Sequence, residues 1–127
     1  MHEQVHAVQL SFERVAAGGV LPTGVEVVNA SFALPFCPPS CFNAVWNELY
    51  GALACGGWFA GQLFGERDDW AVVRPQSHYS RAETLALLQS VGAGYEVISF
   101  EEVEKDGSDG MGGSKHHHVF HVVARKR

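Results

Sequence analysis

Near its start the chain lacks the glycine-rich turn with which a backbone closes on a phosphate or a cofactor. The pair Gly18-Gly19 has no third glycine and does not fall between a strand-like and a helix-like segment, and a residue with a Cβ supports neither the tight turn nor the close approach. Cysteine is scarce. Cys37, Cys41 and Cys55 are odd in number and are not spaced as zinc ligands, so they read as free thiols in a reducing compartment. Basic residues are also few: 9 Lys and Arg against 14 Asp and Glu give a net charge of -5, with no basic run except the closing Arg125-Lys126-Arg127. That balance repels phosphate backbones and anionic lipid, and it argues against nucleic acid and membrane as partners. The opening "MHEQVHAVQLSFERV" carries charges inside any apolar window, so it is neither a signal peptide nor a membrane span. The expected location is the cytoplasm. There is no internal repeat, and the glycine-rich "KDGSDGMGGSK" is the one low-complexity stretch.

What is present suits a single domain. The 127 residues, 46% hydrophobic and 18% charged, are enough for one packed core. Val5 to Phe12 alternates, with Val8, Leu10 and Phe12 on one face, and predicts an amino-terminal strand. Val25 to Leu34 is apolar on both faces, as in a central parallel strand covered by helices, and Pro35 and Pro38-Pro39 stop it. Ser40 is placed as an N-cap for a helix carrying Phe42, Val45, Trp46, Leu49 and Leu53 at helical spacing, with Gly56-Gly57 closing it. Trp58 to Phe64 follows as a strand, making a βαβ unit. Ser80 and Glu83 form a capping box for a second helix, whose Leu85, Leu88 and Val91 share a face. Tyr95 to Glu104 and His117 to Arg125 then flank the glycine-rich stretch, which reads as the mobile tip of an antiparallel hairpin.

Taken in order, "VVNASFALPFCPP", a helix, "GGWFAGQLFGERDDW", a capped helix and a hairpin ending "HVFHVVARK" resemble the carboxyl-terminal half of class I S-adenosylmethionine-dependent methyltransferases, in particular the small-molecule branch similar to tellurite-resistance methyltransferases. The resemblance covers residues 25 to 127. "SFERV" and the strand before it look like the family's third strand and the turn behind it. The resemblance implies an α/β fold with a partial Rossmann-like sheet: strands like the family's four, five, seven and six, in the order 3-2-1-4-5-7-6 of the whole family, mainly parallel, with an antiparallel carboxyl-terminal hairpin and an added amino-terminal strand. The cofactor-binding strands one and two, with their glycine turn and ribose-binding acid, have no counterpart here. Residues 1 to 127 are therefore expected to form one truncated methyltransferase-like domain.

By the same resemblance, Asn29, Ser31 and Phe32 end the strand that meets the transferred methyl group and the acceptor, and Phe12 and Glu13 occupy the turn that touches adenine. These five are the candidate cofactor-binding residues, each with a structural alternative as part of a strand, core or surface. No catalytic residue is assigned, and no cofactor is expected unless a complementing half lets S-adenosylmethionine bind. Asp68 and Asp69 are adjacent on a loop and are expected to point apart into solvent, and a lone His78 is expected at the surface. His116, His117, His118 and His121 divide by alternation between two strand faces, with no carboxylate or Cys placed to complete a zinc site; no metal is expected.

The functional expectation is a non-catalytic methyltransferase-like domain that forms a homodimer. Removing strand one leaves the edge near Val25 to Leu34 raw, to be covered by the amino-terminal strand, by a second copy, or by both. The alternatives are a methyltransferase for a small molecule whose cofactor half comes from another chain or from the dimer, and a small-molecule or metal-binding module.

Overall fold

The computed structural model describes residues 5–74 and 77–127. A five-stranded sheet carries helices on one face. Its elements are α1 (Phe12–Ala16), β1 (Val25–Ala30), α2 (Pro39–Ala52), β2 (Leu53–Gly65), β3 (His78–Tyr79), α3 (Arg81–Ser90), β4 (Tyr95–Ser108) and β5 (Ser114–Lys126), with 3-10 turns at Leu34–Phe36 and Asp69–Val72. The strand order is β1-β2-β5-β4. β1 runs parallel to β2, β5 antiparallel to both β2 and β4, and the short β3 extends the β1 side parallel to Phe64 and Gly65.

The amino-terminal strand does not form. Residues 5–11 have no strand partner, and Val5 and Val8 stand exposed. Ser11 instead caps α1, its hydroxyl accepting the Arg14 N–H at 3.0 Å, because a side-chain acceptor at this spacing satisfies a helix donor that a lone strand leaves open. Phe12, Val15 and Ala16 then pack against the core beside α2.

β1 is shorter than the predicted 25–34 and is the sheet's edge, not a covered central strand: Val27 is 59% exposed, and Glu26 and Asn29 are also exposed. α2 begins on the Pro38-Pro39 pair, with proline in the first turn and no side-chain cap, since proline lacks the N–H that a cap would serve. Ser40 therefore lies inside the helix. The helix ends at Ala52, and its last carbonyls are met by Lys126, whose Nζ donates to Tyr50 O at 2.8 Å and Leu53 O at 2.7 Å. Gly56-Gly57 accordingly does not close α2. Between the pairs Val25–Leu53 and Val27–Trp58 the register slips, and Gly56 (φ +79°) takes the bulge there.

α3 opens on the expected capping box, with Ser80 Oγ accepting Glu83 N–H at 3.1 Å and Glu83 accepting Ser80 N–H at 2.9 Å. The core lies between the two long helices and one sheet face, where Trp46 meets Phe59, Phe42 and Tyr95 with ring centroids 5.3, 5.9 and 5.9 Å away. The Trp46 indole N–H donates to Leu87 O at 3.1 Å and ties α2 to α3. β4 and β5 pair out to Ser108 and Ser114, so the hairpin is longer than expected. Its tip is also organised: Asp109 Oδ1 accepts the N–H groups of Met111 (2.7 Å) and Gly113 (3.0 Å). No described helix is long and apolar enough to cross a membrane.

Candidate functional site

The sheet face opposite α2 and α3 carries no described helix, and alternation places on it Val27 and Asn29 of β1, Ala60 and Gln62 of β2, His117, Val119 and His121 of β5, and Val103 and Lys105 of β4. β1 and β2 end, and β4 runs past them, at one end of the sheet. There a groove of about 520 Å³ opens between the hairpin and Phe32. Phe32 is the one non-glycine residue with positive φ among those described, at +50°. Its N–H donates to Gln62 Oε1 at 2.6 Å, and its ring meets His121 edge-on with centroids 6.0 Å apart.

Behind the groove, at the end of β2, lies a buried polar cluster. Asp68 is 2% exposed. Its carboxylate accepts Lys115 Nζ at 2.9 Å, Trp70 N–H at 2.9 Å and His118 N–H at 3.2 Å. Burial pushes the Asp68 carboxyl up, and Lys115 with the backbone donors more than offsets this, so the net shift is downward. Lys115 Nζ also sits 3.8 Å from the Trp70 ring centroid. The Arg67 N–H donates to His118 Nδ1 at 3.1 Å, which leaves the ring proton on Nε2 to be donated to Glu102 at 2.6 Å. The imidazole lies flat against Gly65, where any Cβ would collide with it.

Several expectations change here. Asp68 does not point into solvent, because two backbone N–H groups and a buried ammonium draw it inward; Asp69 takes the His116 N–H at 2.8 Å. His78 is buried, not at the surface, with Nδ1 2.7 Å from Arg74 O and Nε2 3.7 Å from Asp68. Carboxylates do stand beside the histidines of one face: His116 meets Glu104 and Asp106, each at 2.8 Å, and His118 meets Glu102. These contacts are ion pairs and hydrogen bonds. Among the described residues no three such side chains gather to hold a metal.

Of the candidate residues, Asn29, Ser31 and Phe32 come together, exposed, at the end of β1. Phe12 and Glu13 do not follow a strand. They lie on α1, Phe12 half-buried and Glu13 exposed. Burial, then Cys41 and Glu13, pushes the Cys37 thiol up to about 11, so it is protonated at neutral pH and unfit as a nucleophile. Sequence reasoning missed Gln62, Lys105 and the outward pair His117 and His121 as a group. The alternation of His117, Val119 and His121 was the available signal.

No protein-family model matches the chain, and no curated protein sequence matches it. Solved structures do match. An S-adenosylmethionine-dependent methyltransferase from Methanosarcina mazei superposes with a TM-score of 0.60 at 14% identity, over 87% of this chain and 64% of that one. A Bacillus halodurans protein assigned as a methyltransferase gives 0.67 at 17%, over 98% and 73%. The 1,6-didemethyltoxoflavin-N1-methyltransferase of Burkholderia thailandensis, solved with 1,6-didemethyltoxoflavin and S-adenosylhomocysteine, gives 0.58 at 14%, over 87% and 48%.

This chain has the fold of the carboxyl-terminal part of a class I methyltransferase. The sheet order β1-β2-β5-β4 is the expected 4-5-7-6 of that fold, with the seventh strand reversed. Gly18 (φ +85°) and Gly19 (φ +78°) lie between α1 and β1. On the β1 edge, therefore, no described glycine turn joins the end of a strand to the start of a helix in the methyltransferase manner.

Proposed function

We propose that this chain is a methyltransferase-like module that does not itself turn over S-adenosylmethionine and that acts as a homodimer joined through β1. The observation that supports this reading is the edge. Among the described residues the six of β1 bond β2 on one side only, and one of the six, Val27, is exposed. An apolar edge with free N–H and C=O groups templates pairing with another strand, and a two-fold axis lets two copies satisfy each other. The same edge is where the remainder of a methyltransferase sheet would continue, so pairing there occupies the side on which a cofactor half would stand.

Light scattering at micromolar concentration tests the association. The native chain is expected at twice the monomer mass, and Val27→Glu, which sets charge against charge across the axis, at the monomer mass. A native monomer sinks this reading. A second reading, a methyltransferase for a small molecule completed by another chain, draws support from the groove at the end of β1 and from the neighbour solved with 1,6-didemethyltoxoflavin. Calorimetric titration with S-adenosylmethionine tests the first reading. Binding by this chain alone tighter than about 100 μM, roughly 5 to 6 kcal/mol, demands a formed cofactor pocket and overturns it.

A further inference from the structure

We propose that the groove between Phe32 and the β4–β5 hairpin is a binding site for a small planar aromatic anion. The groove is the one on which the second reading of the function rests, and the inference names the class of molecule it takes; it does not depend on β1 pairing or on a cofactor, because every residue it uses is in this chain.

Phe32 carries the first part. A bulky residue in the left-handed region is strained and persists only where its surroundings hold it there. Here the ring is 49% exposed. Gln62 Oε1 holds the backbone N–H at 2.6 Å and His121 takes the ring edge. The chain thus maintains a strained turn in order to stand an aromatic ring upright beside the groove, where it contributes little to the core. Its free face and the floor of Val103 and Val119 form two apolar walls. At about 520 Å³ the space suits a small molecule.

Charge and hydrogen bonding carry the second part. Asp106 also lines the groove, but its carboxylate is held by His116 at 2.8 Å on the other face. His117 is occupied too, with Nε2 2.9 Å from Ser108 O and Nδ1 3.4 Å from Lys115 Nζ. Among the described residues Lys105 has no ion pair and the His121 ring no hydrogen bond. The groove therefore presents a free ammonium at one end, a free imidazole beside Phe32, and apolar walls between them. A flat ring lies against Phe32, and its carboxylate or phenolate reaches Lys105.

The probe is 2-naphthoate, with neutral 2-naphthamide as the control, titrated by calorimetry and followed on the imidazole cross-peaks of His121. Saturable one-to-one binding of naphthoate below about 1 mM is expected. Lys105→Gln should weaken naphthoate about fivefold and leave naphthamide unchanged. Phe32→Gly should weaken both about tenfold, yet hold or raise the melting temperature, because glycine accepts the positive φ. Absence of saturation, equal binding of the amide and the acid, or shifts confined to another surface overturns the site. A melting temperature lower by more than about 10 °C in Phe32→Gly makes Phe32 a packing residue and overturns it as well. Naphthoate that only dissociates the chain from its own copies would place a second copy in the groove, with the same consequence.

Discussion

The two faces of the sheet are built from the same strands and differ in almost everything else. Toward α2 and α3 point Phe59, Leu63, Val122 and Ala124, all buried in one cluster with Trp46, Leu88 and Tyr95. Away from the helices point Val27, Asn29, Gln62, His117 and His121, half-buried or exposed. A strand whose side chains alternate can hand one face to the hydrophobic effect and keep the other for contacts that come and go. The open face is no failed core, since it mixes imidazole, amide and ammonium with apolar floor and holds a strained aromatic upright. The largest expected effect measures this contrast directly. Phe59→Ala should cost about 4 kcal/mol by loss of burial and a cavity under Trp46. Val27→Ala, across the edge pair Val27–Trp58, should change monomer stability by less than about 0.5 kcal/mol. Urea unfolding of both variants checks it, and comparable losses would erase the distinction between the faces.

Between the two faces stands the Asp68 cluster, polar yet as buried as the core. Lys115→Met leaves a carboxylate buried without its cation, and it should destabilise by about 4 kcal/mol. Adding Asp68→Asn should recover much of that, because the uncompensated charge goes with it. Gly65→Ala comes next, at about 2 kcal/mol, since the new Cβ meets the His118 ring. His118→Ala in the same chain should relieve the clash, giving a coupling in a double-mutant cycle that a purely local backbone effect would not give.

How much of this was legible in the sequence follows the same division. Segments fixed by local chemistry were readable: the Ser80–Glu83 capping box stands where its pattern put it, and the helix through Phe42, Val45 and Trp46 and the hairpin form as expected with shifted ends. Features decided by distant partners were not. Lys126 meets the end of α2 from across the sheet, which frees Gly56 for a bulge. Asp68 reads as a loop acid until β5 brings Lys115 beside it. The alternation of Val8, Leu10 and Phe12 suggests a strand, but the Ser11 cap diverts the chain into a helix. In the site, Asn29, Ser31 and Phe32 were found by their place at a strand end, whereas the opposing wall of the groove comes from register between β4 and β5 and shows in the sequence only as alternating His and Val.

The smallest expected effect lies in acid, and it too separates the faces. Glu104, hydrogen-bonded by Arg67 and then His116, has its carboxyl held at about 2 against an ordinary 4.5. A carboxyl depressed on folding adds stability above its unfolded value and loses it as pH falls through the folded one, so this contribution fades between pH 4.5 and about 2. Glu102, bonded to His118, shifts in the same direction. His116 moves the opposite way, raised from 6.5 by Glu104 and Asp106; its contribution is complete below 6.5 and fades as pH rises through its folded value. The carboxylate–histidine pair is therefore intact between about pH 4.5 and 6.5, and because both partners are partly exposed, salt weakens it. Melting temperatures from pH 2 to 8 should show a shallow plateau in that window. Glu104→Gln should make the acid limb shallower and reduce the rise toward the plateau from the alkaline side, Asp106 still facing His116, while His121→Gln, on the face where no carboxylate contacts a histidine among the described residues, should leave the profile unchanged. A His121→Gln profile altered as much as that of Glu104→Gln would mean that the open face holds a charge pair of its own.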